Sequence, residues 1–174
     1  MTTVYPFLVS DSEFKDKRVL VTGGTKGMGE AIVRRFALSG AAVATTARSP
    51  LPKEQNPSIF VQSDVGTAEG VQKVVGRIQQ EWDRLDILVN CLGGSEAPNG
   101  GFRALTDDDW QRALNVNLLT AVRLNRCVCS ENDRTQVGRG CSHLVYSASS
   151  SPLRCDSGLR CGKRSTQHVQ QRTR

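Results

Sequence analysis

Residues 18–29 read RVLVTGGTKGMG, an aliphatic run that ends in four closely spaced glycines. The first five residues predict a buried β-strand, and Glu30 to Ser39 predicts a helix because Ile32 and Phe36 lie one turn apart. Glycine in such a turn lets the backbone approach a pyrophosphate, and the N–H groups at the start of the helix favour its negative charge. Many strand-to-helix turns use glycine for structural reasons alone, so the turn by itself leaves both interpretations open.

The alternation of strands and helices continues as far as residue 126. Ala41–Ala47, Ser58–Gln62 and Leu85–Asn90 predict three further strands, and residues 67–82 carry apolar side chains at helical spacing. Thr106 and the three aspartates after it predict the start of a last helix. The predicted apolar side of that helix consists of Trp110, Ala113, Leu114, Ala121 and Leu124. This pattern is typical of an α/β domain.

The composition fits one globular domain. A chain of 174 residues with 38% apolar and 23% charged residues lies near the globular average, which argues against a disordered protein. No apolar run is long enough to span a bilayer, and the N-terminus lacks the pattern of a secretory signal. We therefore expect a cytoplasmic protein with no membrane partner.

The net charge of +6 and the six cysteines are unevenly distributed. Residues 1–126 carry 15 lysines and arginines against 14 acids, whereas residues 127–174 carry 8 against 3 and hold five of the cysteines. The cysteine spacings do not match a zinc site, and scattered cations with few aromatics argue against a nucleic-acid partner. We predict no metal site, one ordered domain over residues 14–126 and an aberrant, disordered tail over residues 127–174.

Four motifs, in order along the chain, resemble those of the short-chain dehydrogenase/reductase (SDR) family. Thr22-Gly23-x-x-x-Gly27-x-Gly29 is similar to the family's TGxxxGxG turn, and Asp64-Val65 to its acid that meets the adenine. Asn90-Cys91-Leu92-Gly93 resembles its NNAG turn, and Asn115-Val116-Asn117 resembles the stretch that ends in a catalytic asparagine. The resemblance implies a Rossmann-like, doubly wound parallel sheet, incomplete here, with strands in the order 3-2-1-4, a following helix and an irregular C-terminal tail.

The resemblance also implies a nicotinamide dinucleotide cofactor, a small-molecule carbonyl or alcohol substrate, and homo-oligomers among intact relatives. Asn117 is the catalytic residue that carries over. The cofactor-binding residues that the resemblance implies are Thr22, Gly23, Thr25, Lys26, Gly27, Met28, Gly29, Arg48, Ser49, Asp64, Val65, Asn90, Cys91, Leu92 and Gly93.

The choice between the two nicotinamide dinucleotides depends on the end of the second predicted strand. Sites that select NAD usually place an acid there for the ribose 2′-hydroxyl, whereas an arginine suits a 2′-phosphate. This chain has Arg48-Ser49, with Lys26 in the glycine turn. The alternative is that Arg48 is a solvated cation at a strand end. The sequence favours NADP(H) over NAD(H).

Two of these residues have structural alternatives. Asn117 is either a core asparagine satisfied by neighbouring backbone or, as in the family, the residue that holds a water in the proton path. Cys91 stands where the family usually has asparagine, and Leu92 where it usually has alanine. We interpret Cys91 as a buried small residue rather than as a nucleophile.

The resemblance ends before the family's catalytic serine and its Tyr-x-x-x-Lys motif, which puts both side chains on one helix face. Tyr146 is followed by Ser150 at the fourth position, and Tyr5 lies at the other end of the chain. The run from His143 to Tyr146 is a candidate for a makeshift fifth strand. Otherwise we expect the fourth strand to be left as an uncovered sheet edge.

The missing motif can be recovered from the tail if its codons are read one base later. With suitable synonymous codons, Gly158 to Lys163 then reads Ala-Tyr-Ala-Ala-Ala-Lys, and Ser142 to Val145 reads His-Ile-Ser-Ser. The shifted fit coincides with the change in composition, so we infer a one-base insertion or deletion near codon 127. The sequence thus predicts an SDR-type oxidoreductase that is catalytically impaired in this form, or alternatively a non-catalytic NADP(H)-binding or regulatory module.

Overall fold

Five parallel strands form one sheet in the part of the chain that the computed structural model describes, residues 10–95, 98, 100–134 and 142–144. The strands are β1 (Arg18–Thr22), β2 (Ala42–Ala47), β3 (Ile59–Gln62), β4 (Ile87–Val89) and β5 (Ser142–Leu144). Their spatial order is β3-β2-β1-β4-β5, and each neighbouring pair is parallel. The predicted order 3-2-1-4 of an α/β Rossmann-like sheet is confirmed.

Helices connect the strands at the predicted places. They are α1 (Gly27–Leu38), α2 (Ala68–Glu81), α3 (Asp107–Leu114) and α4 (Thr120–Arg134), with a short 3₁₀ turn at Phe102–Ala104 and a π-helical turn at Asn115–Leu119. Helix α1 begins at Gly27, three residues before the predicted start. Glycine has a low helix propensity, so a helix that starts inside a glycine turn is hidden from a propensity argument.

Strand β5 covers the edge of β4. Ser142, His143 and Leu144 pair with Ile87, Leu88 and Val89 in parallel register. The predicted makeshift strand is therefore confirmed for His143 and Leu144, while Val145 and Tyr146 lie outside the described residues. The expectation of an uncovered edge at β4 is wrong because ladder hydrogen bonds use backbone groups, which an unusual side-chain sequence still provides.

Strand β1 is buried on both faces because its alternate residues enter two different cores. Val19 and Val21 pack with Val33 of α1 on one side of the sheet. Leu20 packs on the other side in a cluster that includes residues of α2 and α4, such as Leu124. A sheet covered by helices on both faces explains why its strands are continuous apolar runs.

The π-helical turn between α3 and α4 changes which side of the last helical segment is buried. The sequence placed Trp110 and Leu114 on the same apolar side as Leu124, yet they are 46% and 47% exposed while Leu124 is fully buried. One extra residue in a turn rotates everything after it by about 100°, so a constant helical period fails across the bulge. The Thr120 hydroxyl donates to the Asn115 carbonyl at 2.9 Å and helps satisfy the widened turn. The predicted burial of Trp110 and Leu114 was wrong for this reason.

Among the described residues, none of the helices combines the length and the apolar character needed to cross a membrane.

Candidate functional site

A cleft of about 740 Å³ lies at the carboxyl ends of the first four strands. Its walls come from the segments that follow β1, β2, β3 and β4 and from one face of α3 with the π-helical turn. Ligands of open α/β sheets bind in this position, and the volume suits a small-molecule site.

The glycine turn after β1 is tightly packed on its inner side and open toward the cleft. Gly23 has a φ of +69°, donates its N–H to the Thr46 carbonyl at 2.8 Å, and has no room for a Cβ because the Cys91 carbonyl oxygen lies 2.8 Å from that position. A Cβ on Gly29 would collide with the carbonyl oxygen of Gly23. Gly27 has a φ of +58° and nothing within 4 Å of its Cβ position. The turn therefore has the shape of a cradle at the start of α1.

Thr25, Lys26 and Met28 line the cleft beside these glycines, whereas Thr22 lies beneath it. The buried Thr22 hydroxyl donates to the Val89 carbonyl at 3.4 Å and accepts the N–H of Cys91 at 3.0 Å. Thr22 thus connects β1 to the segment after β4, and it does not line the cleft itself.

Arg48 and Ser49 line the cleft where β2 ends, as the sequence predicted. Lys26, Arg48 and Arg112 are the cations among the lining residues, and Asp109 is the carboxylate. Since Arg112 forms an ion pair with Asp109, the positive charge of Lys26 and Arg48 dominates this wall. Such a wall favours an anionic ligand.

Val65 lines the cleft and is buried, while its neighbour Asp64 does not line it. The Asp64 carboxylate accepts the N–H of Gly66 at 2.9 Å, which closes a tight turn before α2. Thr67 then caps α2 by accepting the N–H of Gly70 at 3.0 Å.

Of the predicted residues after β4, as of the pair Asp64 and Val65, some line the cleft and others do not. Cys91, Leu92 and Gly93 line the cleft, and Asn90 is only 5% exposed beneath them. Neither polar atom of the Asn90 amide has a hydrogen-bond partner among the described residues. Burial raises the pKa of the Cys91 thiol, which is what a small wall residue shows and the opposite of what an activated nucleophile needs.

Asn117 lies in the π-helical turn, and its amide makes three hydrogen bonds to backbone groups. Its Nδ2 donates to the carbonyls of Gly94 and Ala113, each at 2.8 Å, and its Oδ1 accepts the N–H of Gly94 at 3.1 Å. Gly94 lines the cleft and Asn117 does not. All three bonds are to backbone groups, and the catalytic role of Asn117 stays a prediction.

Helix α3 and the π-helical turn form a further wall of the cleft, which the cofactor-binding residues predicted from the sequence do not include. Asp109, Arg112, Ala113 and Val116 line the cleft, with Asn115 beside them. Their spacing of three and four residues is the signal that places them on one helix face, but the three aspartates were interpreted only as helix-capping residues. Asp109 does cap α3, because its carboxylate accepts the N–H of Thr106 at 2.9 Å while Thr106 accepts the N–H of Asp109 at 3.3 Å. The pKa of Asp109 is lowered, mainly by the bonds from Thr106 and then by Arg112.

In the part of the chain described here, no group of three or more His, Cys, Asp or Glu side chains is placed to hold a metal ion. Ser147, Ser149 and the tail beyond them lie outside the described residues.

Comparison with known proteins gives a consistent result. The family model described as short chain dehydrogenase matches residues 17–140. The chain is 33% identical over 125 residues to the uncharacterized oxidoreductase YvrD of Bacillus subtilis (strain 168), an alignment that covers 67% of this chain and 46% of that protein. It is 32% identical over 116 residues to the NADP-dependent 3-hydroxy acid dehydrogenase YdfG of Escherichia coli (strain K12), covering 63% of this chain and 46% of the relative.

The fold is similar to that of solved structures. The ligand-free aldohexose dehydrogenase of Thermoplasma acidophilum superposes with a TM-score of 0.68 at 26% identity, over 78% of this chain and 51% of that one. The chain therefore spans about half the length of the curated relatives that it matches.

Proposed function

Because this chain belongs to the short-chain dehydrogenase family, we propose that it binds NADP(H) in the cleft and represents an oxidoreductase that interconverts a small-molecule carbonyl and an alcohol. The observation that carries the proposal is the left-handed Gly27 at the start of α1, which faces open space. A pyrophosphate fits there, against the N–H groups of the first turn of α1. The residues present therefore fit the cofactor.

The charge around the cleft favours NADP(H) over NAD(H). Lys26 reaches the cleft from the glycine turn and Arg48 from the end of β2, where a site that selects NAD has an acid. A guanidinium can bind a 2′-phosphate with two parallel hydrogen bonds. The relative from Escherichia coli is NADP-dependent by name, which supports the same preference.

The segment after β4 fits the reacting end of the cofactor, which supplies or accepts a hydride when bound. Cys91, Leu92 and Gly93 form this wall. The raised pKa of Cys91 keeps its thiol neutral at neutral pH, so it adds no charge to this wall. Asn117 acts on this wall through the backbone of Gly94.

The tyrosine of a Tyr-x-x-x-Lys motif, which would give the substrate oxygen its proton, does not occur in the 174 residues. A positioned acid of suitable pKa contributes about 10²–10⁴-fold to such a step. We propose that the chain in this form is impaired by about that factor, and that a one-base shift near codon 127 is the origin of the loss.

The test is a fluorescence titration of the full chain with NADPH and NADH, followed by an assay of NADPH oxidation with a panel of ketones. We expect tighter binding of NADPH than of NADH, and turnover far below the ordinary enzyme range of about 1–10³ per second. Absence of NADPH binding would refute the proposed site. Ketone reduction at ordinary rates would refute the impairment.

The alternative function, a non-catalytic NADP(H)-binding or regulatory module, is favoured by the same missing motif. The two functions can be distinguished by restoring one base near codon 127 and measuring turnover of the product. If the chain is an impaired enzyme, the restored gene encodes the serine and Tyr-x-x-x-Lys and its product gains turnover. If the coding DNA cannot spell these residues in another frame, the module is the better description.

A further inference from the structure

We infer that Arg123 is a positioning residue for the adenine end of the cofactor, an inference that rests on the proposed function. Arg123 lies on α4, outside the cleft, and no motif in the sequence singles it out. Its half-buried guanidinium reaches the turn after β3, which is 57 residues away in the chain.

The contacts of Arg123 converge on one nitrogen. Its Nη1 donates to the carbonyl of Gly66 at 3.0 Å and to Oδ1 of Asn115 at 2.7 Å. The Nδ2 of Asn115 donates in turn to the same Gly66 carbonyl at 3.3 Å. Arg123, Asn115 and Gly66 therefore form a closed triangle that joins α4, the π-helical turn and the turn after β3.

This triangle fixes the turn that carries Asp64 and Val65, the pair similar to the family's acid that meets the adenine. The N–H of Gly66 donates to the Asp64 carboxylate at 2.9 Å, and the carbonyl of Gly66 accepts from Arg123. Both backbone polar groups of Gly66 are therefore bonded, which fixes the turn. Val65, between them, and Asn115 both line the cleft. Arg123 also determines which way the Asn115 amide points, because the guanidinium can only donate and must face the amide oxygen.

The triangle has little room to adjust by other means. A Cβ on Gly66 would lie 3.0 Å from Oδ1 of Asp64, so the turn is already close-packed against the carboxylate. Loss of the Nη1 donor leaves the Gly66 carbonyl with the longer bond from Asn115, whose amide is then no longer oriented. We expect the Asp64 carboxylate and the Asn115 amide to lose their fixed orientation, while the two bonds from Thr67 to the Asp64 carbonyl keep the backbone of Asp64 and the sheet in place.

The experiment compares Arg123→Met, which keeps the aliphatic stem, with Arg123→Lys, whose single nitrogen can donate to both acceptors. Arg77→Met on α2 is the matched control, since it removes an exposed ion pair with Glu81 away from the cleft. Each full-length variant is titrated with adenosine 2′,5′-bisphosphate and with its hypoxanthine analogue, which lacks the 6-amino group. Thermal unfolding without ligand is measured in parallel.

We expect the unmodified chain to prefer the adenine nucleotide, and Arg123→Met to bind it about tenfold more weakly with most of the base preference lost. Arg123→Lys should retain the preference, and Arg77→Met should behave as the unmodified chain does. An unchanged base preference in Arg123→Met, or an equal loss for both nucleotides together with a lower unfolding temperature, would overturn the inference. If the unmodified chain binds neither nucleotide, the proposed function fails and the role of Arg123 fails with it.

Discussion

Asn117 and Gly94 are joined by two reciprocal hydrogen bonds, with the amide nitrogen donating to the Gly94 carbonyl at 2.8 Å and the amide oxygen accepting its N–H at 3.1 Å. The Asn117 side chain therefore bonds the backbone of the loop after β4 as a neighbouring strand would, with one donor and one acceptor. It provides the one donor and the one acceptor that the loop would otherwise have to find in water or in a sheet.

Replacement of Asn117 by alanine should destabilise the protein. The change removes the two bonds to Gly94 and a third to the Ala113 carbonyl, so we expect a loss of about 1–3 kcal/mol in the free energy of unfolding. Urea unfolding followed by circular dichroism measures it. Val122→Ala, on the same helical segment but 49% exposed, should change stability by less than about 0.5 kcal/mol. Equal stability of the two variants would show that the bonds to Gly94 contribute nothing.

The glycine turn allows a sharper comparison, because three glycines have different surroundings. Gly29→Ala should prevent the turn from forming, since its Cβ meets the carbonyl oxygen of Gly23, whereas Gly27→Ala has space. We expect Gly27→Ala to fold with a strain of about 1–2 kcal/mol from its left-handed backbone, and to lose NADPH affinity because the new methyl group enters the cleft. At Gly76 in α2 nothing outside the helix backbone lies within 4 Å of the position that a Cβ would take, so Gly76→Ala should stabilise the protein by about 0.5–1 kcal/mol. NADPH binding by Gly27→Ala equal to that of Gly76→Ala would contradict the proposed cradle.

The charge at the end of β2 should determine cofactor preference. In Arg48→Glu we expect NADPH to bind at least tenfold more weakly, with NADH binding unchanged or tighter, because a carboxylate repels a 2′-phosphate and accepts a bond from a 2′-hydroxyl. Arg34→Glu makes the same change in charge at an exposed position of α1 that does not line the cleft. The ratio of the two dissociation constants should therefore move in the first variant and not in the second. A parallel shift in both would mean that only the net charge matters.

Acid should weaken the start of α3 through Asp109. Its pKa lies below the usual value of about 3.9 because Thr106, and then Arg112, donate to its charged form. The stability that it contributes is therefore fully present above pH 4 and is lost as the pH falls through the lower pKa of the folded state. We expect the difference in unfolding temperature between the unmodified chain and Asp109→Asn to be present at pH 6 and to shrink below pH 4. A difference that does not depend on pH would rule out the carboxylate as its source.

The sequence was sufficient for features that depend on local chemistry. Apolar runs indicated both the strands and their burial, since a strand such as β1 must be apolar on each face when helices cover both. The glycine turn and the end of β2 were also identified, because the chemistry of a phosphate-binding turn is contained in a few consecutive residues. The predicted cofactor-binding residues of these two segments, except Thr22, line the same cleft.

Features that depend on distant partners could not be predicted. No rule of spacing joins Arg123 to Gly66, and a helical period extended through residues 107–124 gave the wrong exposure for Trp110 because it could not anticipate the π-helical turn. The pairing of β5 with β4 could not be predicted firmly either, because it depends on backbone hydrogen bonds, which leave no signature in the side-chain sequence.

Thr22 lies beneath the cleft, at the point where β1 and β4 stop pairing. Rungs of the ladder between β1 and β4 run to the pair Val21 and Val89, and beyond it one hydroxyl group bridges the Val89 carbonyl and the Cys91 N–H in place of a further rung. On the opposite side of β1, the Gly23 N–H continues to bond β2. The two strands therefore separate at a point where one hydroxyl group is their last polar connection. A valine at position 22 would leave the Val89 carbonyl and the Cys91 N–H without these hydrogen bonds.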